Sequence, residues 1–224
     1  MSTILFLHGA IGSSNQLSKI YNRFENSITF NFPGHGNTKI PTEFSIELFS
    51  KAVIDLLDKN QLKKVSIFGY SMGGYVGLYL AVNFPNRIEK VFCHGTKLLW
   101  NEESAWREMK LLDPKLIEEK APQFASHLET IHGDNWPLVL TKTTSMLQEM
   151  GKNPPLDVKD FQTITCPILI SLGDQDKTAN LEDSVVCLSF FQKVSFSVLP
   201  NTPHPLEKTD CNRLVEIAAT FFED

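Results

Sequence analysis

The chain has 224 residues, 42% of them hydrophobic and 21% charged, a composition typical of one globular domain with a sizeable core. Its formal net charge is −5 and its longest basic run is Lys63-Lys64, which argues against a nucleic-acid partner because phosphate binding needs clustered cations. No apolar run is long enough to span a bilayer, and the apolar segment 4–7 lacks the basic region of a signal peptide. We therefore expect a cytoplasmic protein that acts on a small molecule.

Short β-branched and aromatic runs alternate with helical patterns along most of the chain. Strands are predicted at residues 3–7, 27–31, 64–68, 88–93, 167–172 and 194–199. Helices are predicted at residues 15–25, 45–60, 72–83, 181–191 and 205–222. This alternation predicts an α/β fold with a mostly parallel sheet of about six strands and helices on both faces.

The alternation stops between residues 97 and 158. This segment carries helical patterns at 102–112, 114–132 and 138–150 but no strand pattern, and it ends at the turn-like sequence Gly-Lys-Asn-Pro-Pro of residues 151–155. We therefore predict a helical subdomain at 97–158, inserted into a core domain formed by 1–96 and 159–224.

A candidate nucleophile lies in the sequence Gly-Tyr-Ser-Met-Gly at residues 69–73, between a predicted strand and a predicted helix. A sharp turn at this place strains the backbone of Ser71 and leaves no room for a Cβ at the flanking positions, which Gly69 and Gly73 satisfy. The simpler interpretation is a glycine-rich turn with a helix-capping serine. The placement directly after a strand favours a nucleophile.

A second loop, His-Gly-Ala-Ile-Gly-Ser at residues 8–13, follows the first predicted strand. Such a loop can present a backbone N–H to a developing oxyanion, and we expect the N–H groups of Ala10 and Met72 to form that pair of donors. His8 is expected to hold the loop rather than to exchange protons.

The remaining candidates follow the last two strands. Asp174 and Asp176 both lie just beyond the predicted strand at 167–172, where either could reach a histidine on a neighbouring loop. His204 follows the strand at 194–199 and completes the chain order Ser, Asp, His. The four cysteines (Cys93, Cys166, Cys187 and Cys211) are widely spaced, so neither a metal site nor a disulfide framework is indicated.

Taken together, these motifs resemble the α/β-hydrolase fold family over nearly the whole chain. The matching segments occur in the family's order: 8–13, the Phe-Pro-Gly-His-Gly turn at 32–36, 69–74, the Gly-x-x-Asp pattern at 173–176, and His204. The resemblance implies that Ser71 is the nucleophile, His204 the general base and Asp176 the acid that orients it. It also implies that residues 97–158 form a lid and that no metal or organic cofactor is required.

The sequence departs from the family pattern at two places. The family's His-Gly loop usually follows the third strand, whereas here it begins at residue 8, so we expect a sheet without the usual first two strands. The family turn usually carries Asp where this chain has Asn31, a change that leaves the three proposed catalytic residues untouched.

The resemblance predicts a serine hydrolase that cleaves a carboxylic ester or thioester of a small, partly apolar substrate. Apolar lid residues, Trp100, Trp106 and Trp136 among them, are candidates for the pocket wall. Because residue 71 is serine, the branches of the family with a carboxylate nucleophile, the haloalkane dehalogenases and epoxide hydrolases, are disfavoured.

Three alternatives stay open: a C–C bond hydrolase, a cofactor-free lyase similar to the menaquinone-pathway synthase that eliminates pyruvate, and a ligand receptor with little turnover. That lyase has an arginine after its nucleophile turn, where this chain has Tyr75. The sequence specifies neither the physiological substrate nor the oligomeric state.

Overall fold

The computed structural model describes residues 2–223 and contains a six-stranded sheet in which every strand pair is parallel. The strand order is β2-β1-β3-β4-β5-β6, which confirms the predicted parallel sheet of about six strands. The strands are β1 (Ile4–Leu7), β2 (Ser27–Thr29), β3 (Val65–Tyr70), β4 (Ile88–His94), β5 (Ile168–Gly173) and β6 (Val194–Leu199).

The α-helices alternate with these strands except between β4 and β5, where four of them follow one another. In chain order the helices are α1 (Ser18–Tyr21), α2 (Ile46–Lys59), α3 (Met72–Asn83), α4 (Glu102–Met109), α5 (Pro114–Lys120), α6 (Pro122–His132), α7 (Trp136–Lys152), α8 (Leu181–Leu188) and α9 (Cys211–Glu223). We call residues 97–158, which contain α4 to α7, the helical insertion. Within residues 2–223 no helix is both long enough and apolar enough to cross a membrane.

Helices cover both faces of the sheet. Successive side chains of a strand point to opposite sides, so a strand of continuous apolar residues presents an apolar surface on each face. In β1, Leu5 and Leu7 pack into the core cluster that contains the apolar residues of α2 and α3. Ile4 and Phe6 pack into a second cluster with residues of α1 and α9. Each fully buried side chain of this size contributes about 1.5–3 kcal/mol, so the two clusters hold the helices on both faces.

Three predicted helices differ from the observed ones. The segment 15–25 forms a short 3₁₀ helix followed by α1, and the segment 114–132 is divided into α5 and α6. Pro122 causes the division, because it has no N–H to donate and it forces Ala121 out of the helical region, to φ −141°. The segment 205–222 forms a short 3₁₀ helix at Leu206–Lys208 and becomes α-helical only at α9, where the Asp210 carboxylate accepts hydrogen bonds from the first turn.

The fold brings the candidate site residues to one edge of the sheet. The loop at 8–13 follows β1, Ser71 follows β3, Asp176 follows β5 and His204 follows β6. Since parallel strands share the same carboxyl edge, loops that are distant in sequence meet there. The helical insertion leaves the sheet at the same edge, directly after β4.

Candidate active site

Ser71 lies in a strained turn between β3 and α3. Its backbone has φ 52° and ψ −117°, a combination that non-glycine residues rarely adopt. Two hydrogen bonds from outside the turn hold it: the Ser71 N–H donates to the His94 carbonyl at 2.8 Å, and the Thr96 hydroxyl donates to the Ser71 carbonyl at 3.0 Å. The end of β4 and the residues that follow it therefore stabilise the strained conformation of Ser71.

The glycines on either side of Ser71 are required by close backbone contacts. A Cβ on Gly69 would lie 2.3 Å from the Gly74 nitrogen, and a Cβ on Gly73 would lie 2.2 Å from the Leu7 carbonyl oxygen. Both distances are far inside van der Waals contact with backbone atoms that cannot move aside. This is the steric reason for the glycine pattern found in the sequence.

Asp176 and His204 form a hydrogen-bonded pair. The His204 Nδ1 lies 2.8 Å from Asp176 Oδ2. The other carboxylate oxygen, Oδ1, accepts hydrogen bonds from the N–H groups of Thr178 and Ala179, each at 2.8 Å. The Asp176 side chain is therefore fixed at both oxygens, and it orients the imidazole of His204.

Asp174, the other acid predicted as a candidate, does not reach His204. Its side chain accepts a hydrogen bond from the Thr202 N–H at 3.1 Å, and its own N–H donates to the Leu199 carbonyl at 3.0 Å. These bonds join the loop after β5 to the loop after β6. Asp174 thus connects the two loops that carry Asp176 and His204.

The loop that carries His204 is also held from β3. The Tyr70 hydroxyl donates to the His204 carbonyl at 2.9 Å, and the two rings stack with their centroids 5.5 Å apart. Asn201 takes the left-handed conformation, with φ 53°, at the turn where β6 ends and this loop begins. Residues adjacent to Ser71 therefore help to fix the position of His204.

Ser71 and His204 line the same cavity, which has a volume of about 1210 Å³ and lies between the sheet edge and the helical insertion. The Ser71 hydroxyl has no hydrogen-bond partner within residues 2–223. The insertion supplies much of the apolar wall, including Trp100, Leu111, Leu112, Phe124, Met146 and Met150.

Of the three tryptophans predicted for this wall, only Trp100 lines the cavity. Trp106 is 56% exposed on the outer side of α4, where Lys110 Nζ lies 3.7 Å from its ring centroid. Trp136 is buried inside the insertion, in a cluster with Leu128 and Leu140. The prediction is corrected for these two residues, because the helix faces that they occupy point away from the cavity.

The predicted oxyanion donors also lie at this cavity. Ala10 and Met72 both line it, and within the described part of the chain neither backbone N–H is hydrogen-bonded to another protein group. Met72 is the first residue of α3, so its N–H lies at the positive end of the helix dipole. The two groups are free to donate to a ligand atom.

Histidine rings hold the loop that contains Ala10. The carbonyls of residues 9–11 each lie 2.6–3.0 Å from a ring nitrogen of a different histidine, namely His8, His35 and His132. We call these residues the three-histidine clamp. With three consecutive carbonyls engaged, the orientation of the peptide units around the Ala10 N–H is fixed.

The hydrogen bonds at the second ring nitrogens define the protonation of two of the three rings. The Phe32 N–H donates to His8 Nε2 at 3.1 Å, and the Gly36 N–H donates to His132 Nδ1 at 3.0 Å. Both rings are therefore neutral and donate through their other nitrogen. Burial lowers the pKa of His8 and His132, and it lowers the pKa of His35 to about 4.

His8 thus holds the loop, as expected from the sequence, whereas sequence reasoning did not find His35, His132 or Thr96. His35 belongs to the turn motif at 32–36, but nothing in that motif indicates that its ring contacts the loop at 8–13. His132 lies in α6 of the insertion, more than a hundred residues from the loop that it contacts, so no local pattern points to it.

Among the described residues, the Tyr75 hydroxyl and the metal-binding side-chain types do not offer a further ligand site. The Tyr75 hydroxyl is buried against the backbone of Leu156, from whose N–H it accepts a hydrogen bond at 3.2 Å. Within residues 2–223 no group of three or more His, Cys, Asp or Glu side chains is arranged to hold a metal ion. The cysteines are free thiols in this part of the chain.

A sequence model described as the alpha/beta hydrolase fold matches residues 2–134, so the chain belongs to the α/β-hydrolase fold family. Among curated proteins it is similar to PHYLLO of Arabidopsis thaliana (34% identity over 100 residues, 39% of this chain) and to 3-oxoadipate enol-lactonase 2 of Acinetobacter baylyi (27% over 175 residues, 70% of this chain). These matches span 6% and 63% of the two relatives, less than two thirds of either.

Among solved structures, the chain is similar to an esterase from Thermogutta terrifontis. The TM-score is 0.81, the sequence identity 16%, and the match covers 100% of this chain and 90% of the esterase. At this level of identity the likeness concerns the fold alone.

Proposed function

We propose that this protein is a serine hydrolase that cleaves a carboxylic ester or thioester through Ser71, His204 and Asp176. The observation that carries the proposal is the 2.8 Å contact between His204 Nδ1 and Asp176 Oδ2 at a cavity that Ser71 also lines. A neutral imidazole held in this way presents its Nε2 as a base, which is the requirement for activating a serine hydroxyl.

In the proposed reaction, His204 removes the proton of Ser71 as the hydroxyl attacks the substrate carbonyl. Asp176 stabilises the imidazolium that forms, and the N–H groups of Ala10 and Met72 donate to the oxyanion of the tetrahedral intermediate. His204 then protonates the leaving group, and an acyl-enzyme forms on Ser71. Water repeats the same steps and releases the acid.

We propose that the helical insertion acts as a lid that determines the substrate. It contributes the apolar wall of the cavity, so a small substrate with an apolar acyl or alcohol group is favoured. Ester hydrolysis agrees with the names of two similar proteins, a lactonase and an esterase. The lyase alternative is less favoured, because the arginine that follows the nucleophile turn in that enzyme is replaced by Tyr75, whose hydroxyl is engaged by Leu156.

A fluorophosphonate probe and a panel of ester and thioester substrates test this proposal. We expect the probe to label Ser71, as identified by peptide mass spectrometry, and we expect the wild-type protein to hydrolyse at least one of the acyl chain lengths offered. The Ser71→Ala variant serves as the control for both measurements. Labelling of Ser71 without hydrolysis of any ester or thioester would contradict the proposed reaction and favour the lyase or receptor.

A further inference from the structure

An ion pair that is largely shielded from solvent lies in the wall of the candidate active-site cavity. Lys97 Nζ lies 2.7 Å from Glu108 Oε1, and the two side chains are only 9% and 18% exposed. Both residues line the cavity together with Ser71 and His204. Lys97 is the first residue of the helical insertion and Glu108 belongs to α4, so the pair holds α4 at the place where the insertion leaves the sheet.

Lys97 is close to the reacting groups along the chain. It directly follows Thr96, whose hydroxyl holds the Ser71 carbonyl. The preceding Gly95 is packed so closely that a Cβ there would lie 3.4 Å from both Asp176 Oδ2 and the His204 ring. Lys97 therefore lies two residues from a position that contacts the Asp176–His204 pair, and it lines the same cavity as His204.

In the part of the chain that the structure describes, the Glu108 oxygens all have hydrogen-bond partners, whereas the Lys97 N–H groups do not. Both oxygens of Glu108 have partners: Oε1 accepts from Lys97, and Oε2 lies 3.4 Å from the Thr178 hydroxyl. The Lys97 ammonium has three N–H groups, and within residues 2–223 only Glu108 accepts a hydrogen bond from it. Its other close neighbour is the face of the Trp100 ring, with the centroid at 5.0 Å.

A shielded ammonium normally has all of its donors satisfied, because leaving them unpaired costs free energy. Lys97 lines the cavity, so its other N–H groups can donate to a group inside the cavity. These donors are on the positively charged partner of the pair, and a negatively charged acceptor binds an ammonium more strongly than a neutral one.

We propose that Lys97 binds a carboxylate of the substrate at a distance from the scissile carbonyl. The substrate class is then an ester or thioester that carries a free carboxylate as well as an apolar portion. Glu108 orients Lys97, and its negative charge weakens the binding of the substrate carboxylate. This inference rests on the proposed hydrolase function and deepens it.

Two matched pairs of substrates test the inference. The first pair is 4-nitrophenyl hexanoate and the mono-4-nitrophenyl ester of adipic acid, which have the same acyl chain length but differ in a terminal carboxylate. The second pair is phenyl hexanoate and 4-carboxyphenyl hexanoate, which places the charge on the leaving group. For each pair the measured quantity is the ratio of kcat/KM for the acidic ester to kcat/KM for the neutral one.

The two members of the ion pair are expected to change this ratio in opposite directions. Lys97→Met should lower the ratio about 10- to 100-fold in at least one substrate pair, because a charge-assisted hydrogen bond is lost. Glu108→Gln should raise the ratio in the same substrate pair, because a like charge is removed. Lys110→Met, which removes a lysine from the outer surface of the insertion, should leave the ratio unchanged.

A structural role would give a different result, because either substitution would then weaken the insertion and lower kcat/KM for both esters alike. Changes of the ratio in the same direction, or an unchanged ratio in both substrate pairs, would overturn the inference. If Lys97→Met does not fold, Lys97→Gln and Glu108→Gln give the same comparison. Failure of the hydrolase proposal is distinct, since it would appear as wild-type protein without esterase activity toward any of these substrates.

Discussion

Replacing Asp176 by asparagine tests the proposed acid while changing almost no volume. In the structure Asp176 Oδ1 accepts two backbone N–H groups and Oδ2 faces His204 Nδ1. The asparagine oxygen will keep the two backbone hydrogen bonds, which places its NH₂ group against His204. Two donors then face each other unless the imidazole changes its tautomer, and the changed tautomer has its proton on Nε2 and cannot act as a base toward Ser71.

The expected effect is a loss of about 10⁴-fold in kcat, because the asparagine neither selects the required tautomer nor stabilises the imidazolium. The unfolding free energy should fall by about 1 kcal/mol or less, since two of the three hydrogen bonds persist. The assay compares steady-state kcat on an ester with the midpoint of urea unfolding for the wild-type and variant proteins.

Asp174→Asn is the matched control, because Asp174 lies two residues away and bonds only to backbone. Its side chain accepts one hydrogen bond, from the Thr202 N–H, so the variant should lose about 1 kcal/mol of stability or less and change kcat only modestly. If Asp174→Asn abolished turnover while Asp176→Asn preserved it, the assignment of the acid from the His204 contact would be refuted.

Three further outcomes are expected. Ser71→Ala should lower kcat by about 10⁵–10⁶-fold, and adding His204→Ala should cost little more, because the two groups act together; additive losses in the double variant would contradict this. The unfolding free energy should fall as pH drops from about 6.5 to 4. Burial lowers the pKa of both His35 and His94 to about 4. Below pH 6.5 these histidines therefore bind protons in the unfolded chain but not in the folded one, which favours the unfolded chain. Each histidine contributes about 3 kcal/mol to this loss, which urea titrations at stepped pH values measure, and a constant midpoint over this range would be the contrary result. Trp100→Ala should lower kcat/KM for a hexanoyl ester about 10-fold relative to an acetyl ester, because an apolar wall of the cavity is removed, whereas an unchanged ratio of the two values would place chain-length selectivity elsewhere.

The sequence was most informative where a local cause determines the structure. The strands β1, β3 and β5 can be predicted because each is a short apolar run that is buried along its whole length, and the turn at Ser71 because backbone contacts at Gly69 and Gly73 exclude every larger residue. The break at Pro122 has an equally local cause, although the helical pattern at 114–132 predicts one long helix. Its cause was visible in the sequence, since proline cannot continue a helix.

Features that depend on contacts between distant segments could not be predicted in this way. Trp106 and Trp136 are both apolar residues of the helical insertion, and only the packing of the insertion shows that one faces solvent and the other its core. Likewise, Lys97 and Glu108 are eleven residues apart with no motif around them, so their ion pair emerges only when α4 packs above the sheet edge.

The three-histidine clamp links two parts of the molecule that the sequence separates. His8 and His35 reach the loop at residues 9–11 from the sheet domain, but His132 reaches it from α6. Lifting α6 would therefore remove one of the three supports of the loop that presents the Ala10 N–H. By thermodynamic reciprocity, a ligand that binds this N–H only when the loop is ordered also stabilises the packing of α6 against the loop. Displacement of α6 and disordering of the loop that carries the proposed oxyanion donor would therefore be one coupled equilibrium rather than two.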